Sequence, residues 1–181
     1  IHECIYSIAI TSDNKYLFTS GIEDNGHVKQ FLVSDNQMIK DYGTTFEDDR
    51  IRTITTTPDN IYLFVGSAKG HLKQICLERR EEVHDYGRIH ADEITCLEIT
   101  RDSKWLITGS LDKHVKRISV DNRQVDKDLG QVCGNVITRM KITADDEKLF
   151  VGDYRGHLKL ISLRDEELIK DFGQVHEKMI S

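Results

Sequence analysis

The stretch His90–Val132, HADEITCLEITRDSKWLITGSLDKHVKRISVDNRQVDKDLGQV, decides the fold of this chain. It alternates a polar loop, an apolar run, Arg-Asp-Ser-Lys, a second run, Ser-Leu-Asp-Lys, a third run and a weaker fourth. Short runs of β-branched and aliphatic residues between turns rich in Asp, Ser and Gly are typical of an antiparallel meander. The stretch therefore predicts one four-stranded unit.

The rest of the chain repeats this unit. Lys-Asp-Tyr-Gly at 40–43 recurs, with substitutions at its first and third positions, at 84–87, 127–130 and 170–173. An Asp also stands in the first tight turn of every repeat, at Asp13, Asp59, Asp102 and Asp145. A period near 43 with four short strands predicts an all-β fold, a β-propeller of about four four-stranded antiparallel blades.

The repeats set the predicted boundaries. In the first repeat we expect strands near 5–11, 15–20, 27–33 and 37–42. The predicted blades are about 2–45, 46–89, 90–132 and 133–175, and 176–181 copies the start of a further repeat. No Pro/Ser-rich linker or low-complexity segment interrupts the chain, so 1–181 is treated as one propeller segment with no domain boundary inside it.

Two motifs of these repeats resemble the WD-repeat family. Thr57-Pro58-Asp59-Asn60 is similar to the family's Ser-Pro-Asp-Gly turn, and Ser110-Leu111-Asp112-Lys113-His114 is similar to its Ser-x-Asp-x-Thr segment. The closing Trp-Asp pair of the family is replaced in every repeat, by Phe31-Leu32, Ile75-Cys76, Ile118-Ser119 and Ile161-Ser162. The resemblance implies that His90 and Asp112 have a structural role, a hydrogen bond that ties the loop to its blade.

The repeats differ in this His and Asp pair. Repeats one and three carry a loop His with an acidic hairpin, whereas repeats two and four have neither: His2 with Asp24, Phe46 with Lys69, His90 with Asp112, Cys133 with Arg155. Loss of one partner strands the other's polar group at a cost of about 1–3 kcal/mol, whereas loss of both can be nearly neutral. Joint loss is what this hydrogen bond predicts.

Closure of the propeller has three solutions. The resemblance implies more than four blades, because propellers of this family usually have about seven. The remaining blades can belong to the same natural chain, a homodimer can close 4 + 4 blades, or the four blades can form their own ring. We favour the first for the natural protein, as part of a larger intracellular protein; for the isolated chain all three stay open.

Charge, hydropathy and cysteine content restrict the class of protein. The formal net charge of −6 argues against a general nucleic-acid surface, which needs clustered Lys and Arg. No run approaches the roughly 18 apolar residues of a membrane span, so we expect no membrane association. Cys76 and Cys96 fall in predicted strands, where we expect buried apolar residues, and unpaired thiols fit a reducing cytoplasm.

The sequence offers no convergent chemical site. The four histidines at one repeated position are spread one per blade, whereas metal ligands converge on one point: His27, His71, His114 and His157. The carboxylate pairs Asp48-Asp49, Asp145-Asp146 and Glu166-Glu167 fall in turns, where solvated runs are the ordinary explanation. We therefore predict no metal, no cofactor and no catalytic residue.

The resemblance implies a partner-binding surface instead. In the family, the hairpin residue before the Asp position and the loop before the first strand lie on the top face, where protein partners dock. The candidates in this chain are Ile22, Arg50, Arg52, Lys69, Asp92, Leu111, Tyr154 and Arg155. Large apolar side chains within a polar rim have the composition of an interface, although each could instead pack against its own blade.

The leading interpretation is a non-catalytic protein–protein interaction scaffold. The alternative is an enzyme or small-ligand-binding propeller with a site in the central channel. Such a site needs inward-facing polar residues from several blades, and the first strands offer mainly Ser7, Thr53, Thr55, Cys96 and Thr138. These residue types are ordinary channel lining.

Overall fold

The computed structural model describes residues 4–21 and 26–177, and all the regular secondary structure in these ranges is β-strand. The strands are β1 Ile5–Ile10, β2 Tyr16–Gly21, β3 His27–Leu32, β4 Gln37–Thr44, β5 Ile51–Thr56, β6 Tyr62–Ser67, β7 His71–Cys76, β8 Glu81–Arg88, β9 Ile94–Ile99, β10 Trp105–Ser110, β11 His114–Ser119, β12 Gln124–Gln131, β13 Ile137–Ile142, β14 Lys148–Asp153, β15 His157–Ser162 and β16 Leu168–Gln174.

These strands form four sheets, each made of four consecutive strands in chain order. Blade 1 contains β1–β4, blade 2 β5–β8, blade 3 β9–β12 and blade 4 β13–β16. The predicted all-β fold of four-stranded antiparallel blades is confirmed, and the strands predicted for the first repeat agree with β1–β4 within two residues.

The repeated Asp of the first tight turn has a clear function in the turn between the first two strands. In blade 2, the Asp59 carboxylate accepts a hydrogen bond from the Ile61 amide at 3.0 Å, and the Thr57 hydroxyl accepts one from the Tyr62 amide at 2.9 Å. Asn60 between them has a φ of 61°, the left-handed conformation that Asn tolerates better than most residues. The side chains thus complete the hydrogen bonding of the turn.

The second strand of each blade lies in the core of its sheet. Leu63, Phe64 and Val65 are consecutive in β6 and each is fully buried, so both faces of this strand are covered. Continuous apolar runs are expected for strands that are buried on both faces. The repeated segments Tyr-Leu-Phe and Trp-Leu-Ile are therefore explained by packing.

The chain consists of two compact units, Ile1–Ile94 and Thr95–Ser181. In unit 1, β5 of blade 2 packs against β1 and β2 of blade 1, and in unit 2, β13 of blade 4 packs against β10 of blade 3. Each unit has its own apolar core, centred on Phe18, Ile51 and Ile54 in the first and on Ile107, Val115 and Met140 in the second.

The predicted burial of Cys76 and Cys96 is confirmed, and Cys133 is buried as well. Burial raises the pKa of the Cys96 thiol to about 12 and that of Cys133 to about 11, because a thiolate is poorly solvated there. The residues that the structure describes form no helix that could span a membrane.

Candidate functional site

In every blade the Asp of the fourth strand accepts a hydrogen bond from the amide of the Gly two residues later, which explains the repeated Asp-x-Gly. In blade 3, the Asp128 carboxylate accepts hydrogen bonds from the Gly130 amide at 2.8 Å and the His114 ring at 3.0 Å, and the Lys116 ammonium lies 3.5 Å away. Burial alone would raise the pKa of Asp128, but these neighbours lower it below its usual value. The arrangement ties the third strand to the fourth.

The equivalent aspartate of blade 2, Asp85, stabilises the charged form of a lysine together with Glu82. Partial burial alone would lower the pKa of Lys73, but the carboxylates of Glu82 and Asp85 raise it above its usual value. The Lys73 ammonium lies 2.9 Å from Glu82 and 3.5 Å from Asp85. Since the outer strand of a sheet is a free edge, such charged pairs also protect it from pairing with other chains.

The β6–β7 hairpin of blade 2 is anchored by a buried aspartate. Asp49, which is only 4% exposed, lies in the loop before β5 and accepts hydrogen bonds from the Lys69 amide at 3.1 Å and the Arg50 amide at 2.8 Å. Its second carboxylate oxygen lies 3.2 Å from Nδ1 of His71. The Ala68 amide also donates to the Arg50 carbonyl at 2.8 Å. Loop and hairpin are therefore held together at a fixed distance.

The β14–β15 hairpin of blade 4 is anchored by a different aspartate. Asp153, the last residue of β14, is 1% exposed and accepts hydrogen bonds from the amides of Arg155 at 2.9 Å and His157 at 3.0 Å. Nδ1 of His157 lies 3.2 Å from the same carboxylate. The Tyr154 amide donates to the Val136 carbonyl at 3.0 Å, which repeats the loop contact of blade 2.

These two aspartates add to the interpretation of the alternating repeats. Blades 2 and 4 lack the acidic hairpin residue of repeat three, yet each supplies a buried carboxylate from another position. Asp49 was expected to be solvated as part of a carboxylate pair, and this expectation is wrong because its oxygens serve as acceptors for the hairpin. For Asp153 a sequence signal existed, since it occupies the strand end at which Ser67 and Ser110 stand in the neighbouring repeats.

Three predicted partner-binding residues lie around the blade 2 hairpin in unit 1. Arg50 and Lys69 are exposed, and their amides share one oxygen of Asp49. Asp92 is exposed in the loop that packs on Gly70, where the amides of Ile89 and His90 donate to the Gly70 carbonyl at 3.0 and 3.1 Å. We call these three exposed residues around the hairpin the blade 2 patch.

Arg52 has a different environment from this patch. Its guanidinium forms an ion pair with Glu93 at 2.7 Å and stacks over the ring of Tyr6 at 4.4 Å from the centroid. Because it links β1 and the loop before β9 to β5, its side chain is engaged in contacts within unit 1. A packing role accounts for these contacts.

The candidates of unit 2 fall on two hairpins. Tyr154 is 49% exposed and Arg155 is exposed beside it on the blade 4 hairpin, the blade 4 patch. Leu111 on the blade 3 hairpin is only partly exposed. Ile22, the candidate on the hairpin of blade 1, lies outside the described residues.

The structural pair of the third repeat remains a prediction. His90 is 2% exposed, and Asp112 accepts a hydrogen bond from the His114 amide at 2.9 Å. A double-mutant cycle of Asp112→Ala and His90→Phe tests the proposed hydrogen bond, since absence of coupling would contradict it.

The repeated histidines and the polar residues of the first strands are engaged in hydrogen bonds within and between blades. The His27 ring lies 2.9 Å from the Asp41 carboxylate, so all four repeated histidines have carboxylate partners. Among the described residues, no three His, Cys, Asp or Glu side chains are grouped as metal ligands would be. On the first strands, the Ser7 hydroxyl accepts a hydrogen bond from the Ile54 amide and the Thr138 hydroxyl donates to Gly152. These groups connect strands.

Comparison with known protein families agrees with this architecture. The model of the WD domain, G-beta repeat family matches residues 83–117, which confirms the resemblance to WD repeats in that segment. The match begins in β8 of blade 2 and ends in β11 of blade 3, so it includes His90 and the segment Ser110–His114. A search of curated protein sequences finds no match to the chain.

Proposed function

We propose that this chain is a non-catalytic protein-interaction scaffold of the WD-repeat type. The observation that carries the proposal is the anchoring of the blade 2 and blade 4 hairpins by buried aspartates. A carboxylate that accepts two amides and approaches a ring nitrogen fixes the hairpin backbone, so exposed neighbours such as Arg50 and Tyr154 project from a rigid base. Pre-ordered side chains lose less conformational entropy when a partner binds.

The composition of the two patches supports a protein as the partner. Tyr154 and Arg155 combine a large rigid ring with a guanidinium, and Tyr and Arg are the residue types enriched at the energetic centres of protein interfaces. Arg50, Lys69 and Asp92 of the blade 2 patch provide both charge signs, which favours a partner surface with complementary charges. We assign the partner residues to these five positions.

Composition supports the proposed location and partner class. The four free cysteines fit a reducing cytoplasm, in which we place the protein. The net charge of −6 gives nucleic acid no electrostatic attraction of the usual kind.

The proposal is tested by affinity capture with the chain as bait and quantitative mass spectrometry of the captured proteins. The test variants are Tyr154→Ala and Arg155→Glu, which alter the blade 4 patch without removing Asp153. The matched control is Arg164→Glu in the loop between β15 and β16. This exposed Arg lies at the opposite end of β15 from the hairpin.

We expect captured proteins that bind the wild type and the control, and bind both test variants at least about thirtyfold more weakly, as for loss of an interface hot spot. Purified partner and chain should then reproduce this difference by titration calorimetry. A partner that distinguishes only Arg164→Glu would refute the assignment of the surface. A turnover of any substrate that depends on a patch residue would refute the non-catalytic function.

A further inference from the structure

One face of blade 4 shows how neighbouring blades pack. Six apolar side chains on this face, the leading face, are each at most 8% exposed: Ile137, Met140, Ile142, Leu149, Ile161 and Leu163. They form one core with Cys96, Ile107 and Val115 of blade 3. The leading face of blade 4 is therefore buried against the opposite face, the trailing face, of the blade before it.

Blade 1 has an equivalent leading face that is exposed. The strand registers match position by position: Ile5 pairs with Gly21 and Ile10 with Leu17, as Ile137 pairs with Asp153 and Ile142 with Leu149. The corresponding six residues are all large and apolar: Ile5, Ile8, Ile10, Leu17, Phe31 and Val33. Ile5, Ile8, Ile10 and Val33 are 54%, 65%, 49% and 38% exposed, respectively.

The leading face of blade 1 is not exposed because it is charged. It carries the same kind of large apolar side chains that the leading face of blade 4 buries in unit 2. Exposed apolar faces of this kind mark interaction sites. In both units, a leading face is covered by two fully buried apolar residues of the preceding blade, one from its second strand and one from its third. These residues are Phe18 and Val28 in blade 1 and Ile107 and Val115 in blade 3. The occupant of the free face must offer a similar pair.

Blade 4 of the same chain offers such a pair. Phe150 and Leu158 hold the positions of Phe18 and Val28 in the repeat, and both are partly exposed. Both side chains are apolar and uncharged. The trailing face of blade 4 thus has the apolar chemistry that the leading face of blade 1 requires.

A hydrogen bond between neighbouring turns adds specificity to the packing. In unit 1, Oδ1 of Asn60 accepts from the Ser12 amide of the preceding blade at 2.8 Å, and in unit 2, Oδ2 of Asp146 accepts from the Arg101 amide at 2.8 Å. Asn14 holds the equivalent acceptor position on blade 1, with the same left-handed φ of 58°. Ala144 holds the equivalent donor position on blade 4, and both residues are exposed.

We propose that the leading face of blade 1 binds the trailing face of blade 4 of a second copy of this chain, head to tail. The contact reproduces the packing that each unit already uses: Ile8 and its neighbours cover Phe150 and Leu158, and Asn14 accepts a hydrogen bond from the Ala144 amide. This surface is separate from the hairpin patches, so the inference does not depend on the proposed function.

The experiment measures self-association of the 181-residue chain by sedimentation velocity and native mass spectrometry, up to about 100 μM chain, where a contact of micromolar affinity is saturated. Ile8→Lys disables the leading face and Leu158→Lys the trailing face. Ile61→Lys is the matched control, because Ile61 is 45% exposed at a turn position that holds Lys15 in blade 1 and Lys104 in blade 3. Circular dichroism confirms that each variant is folded.

We expect wild type and Ile61→Lys to associate, and Ile8→Lys and Leu158→Lys each to associate at least about thirtyfold more weakly. A mixture of the two weak variants should form a complex of one copy of each, since each retains the face that the other lacks. Head-to-tail contacts make closed rings or open chains, so either product of the wild type supports the proposal. A monomeric wild type would overturn it, as would association that survives Leu158→Lys, which indicates contact between two leading faces, or a failure of the mixture to pair.

Discussion

The hairpin anchor of blade 4 can be exchanged for that of blade 2, and this exchange tests its role. Blade 2 uses Ser67 at the strand end and Asp49 in the preceding loop. Blade 4 has Asp153 at the first of these positions and Asn135 at the second, where Oδ1 of Asn135 accepts from the Val136 amide as Asp49 accepts from Arg50. The double variant Asp153→Ser with Asn135→Asp therefore transplants the blade 2 arrangement.

The single change Asp153→Ser should destabilise the chain by about 2 kcal/mol. The new hydroxyl can still accept from the His157 amide, as Ser67 accepts from the His71 amide at 2.9 Å. The Arg155 amide and the His157 ring lose their acceptor, and each partly buried donor left without a partner costs about 1 kcal/mol. Adding Asn135→Asp should restore about half of the loss or more, because its carboxylate can accept from both groups.

The assay is urea denaturation followed by tryptophan fluorescence. Trp105 is the only Trp of the chain and lies in β10 of unit 2, so its signal reports the unit that contains the substitutions. Asn135→Asp alone should be neutral or destabilising by about 1 kcal/mol, because two carboxylates then converge on the same donors. Asp121→Ser, at an exposed position of the same unit, should change stability by less than about 0.5 kcal/mol.

A coupling free energy of about 1–2 kcal/mol between positions 135 and 153 would confirm the exchange. If the double variant is no more stable than Asp153→Ser, the two aspartates do not perform the same function and the comparison of the blades is wrong.

Three further predictions concern backbone and thiol groups. Gly70→Ala should destabilise the chain by about 2–5 kcal/mol in urea denaturation, because its φ is +86° and an added Cβ would lie 2.2 Å from the carbonyl oxygen of His90. Gly87→Ala, with a φ of +67° and nothing within 4 Å of the added Cβ, should cost only about 1 kcal/mol, and equal losses would contradict the close packing. At about pH 8, exposed Cys4 should be alkylated before Cys96, whose pKa is raised to about 12 by burial, and peptide mass spectrometry that finds equal rates would refute this burial. Since the folded chain retains the Cys96 proton that an unfolded thiol releases near pH 8.5, stability should fall as the pH rises from about 8.5 to 12.

The sequence by itself determined the number, length and pairing order of the strands. Strand formation depends on local patterns, such as apolar runs of fixed length and turns in which Asp59 and Asn60 complete the hydrogen bonding, and four imperfect copies reinforce each pattern. The burial of Cys76 and Cys96 could also be predicted from the sequence, because both lie inside apolar strand segments and such residues are usually buried.

The tertiary structure alone decided how the hairpins are anchored and which apolar faces are covered. Asp49 is 22 residues from the His71 ring that it contacts, and nothing in a local pattern distinguishes it from a solvated loop carboxylate. Ile8 and Met140 are equivalent in sequence, yet one is 65% exposed and the other 7%, because burial of a blade face requires a neighbouring blade. The sequence shows whether a side chain is apolar or acidic, but only the folded and packed blades determine which groups that side chain contacts.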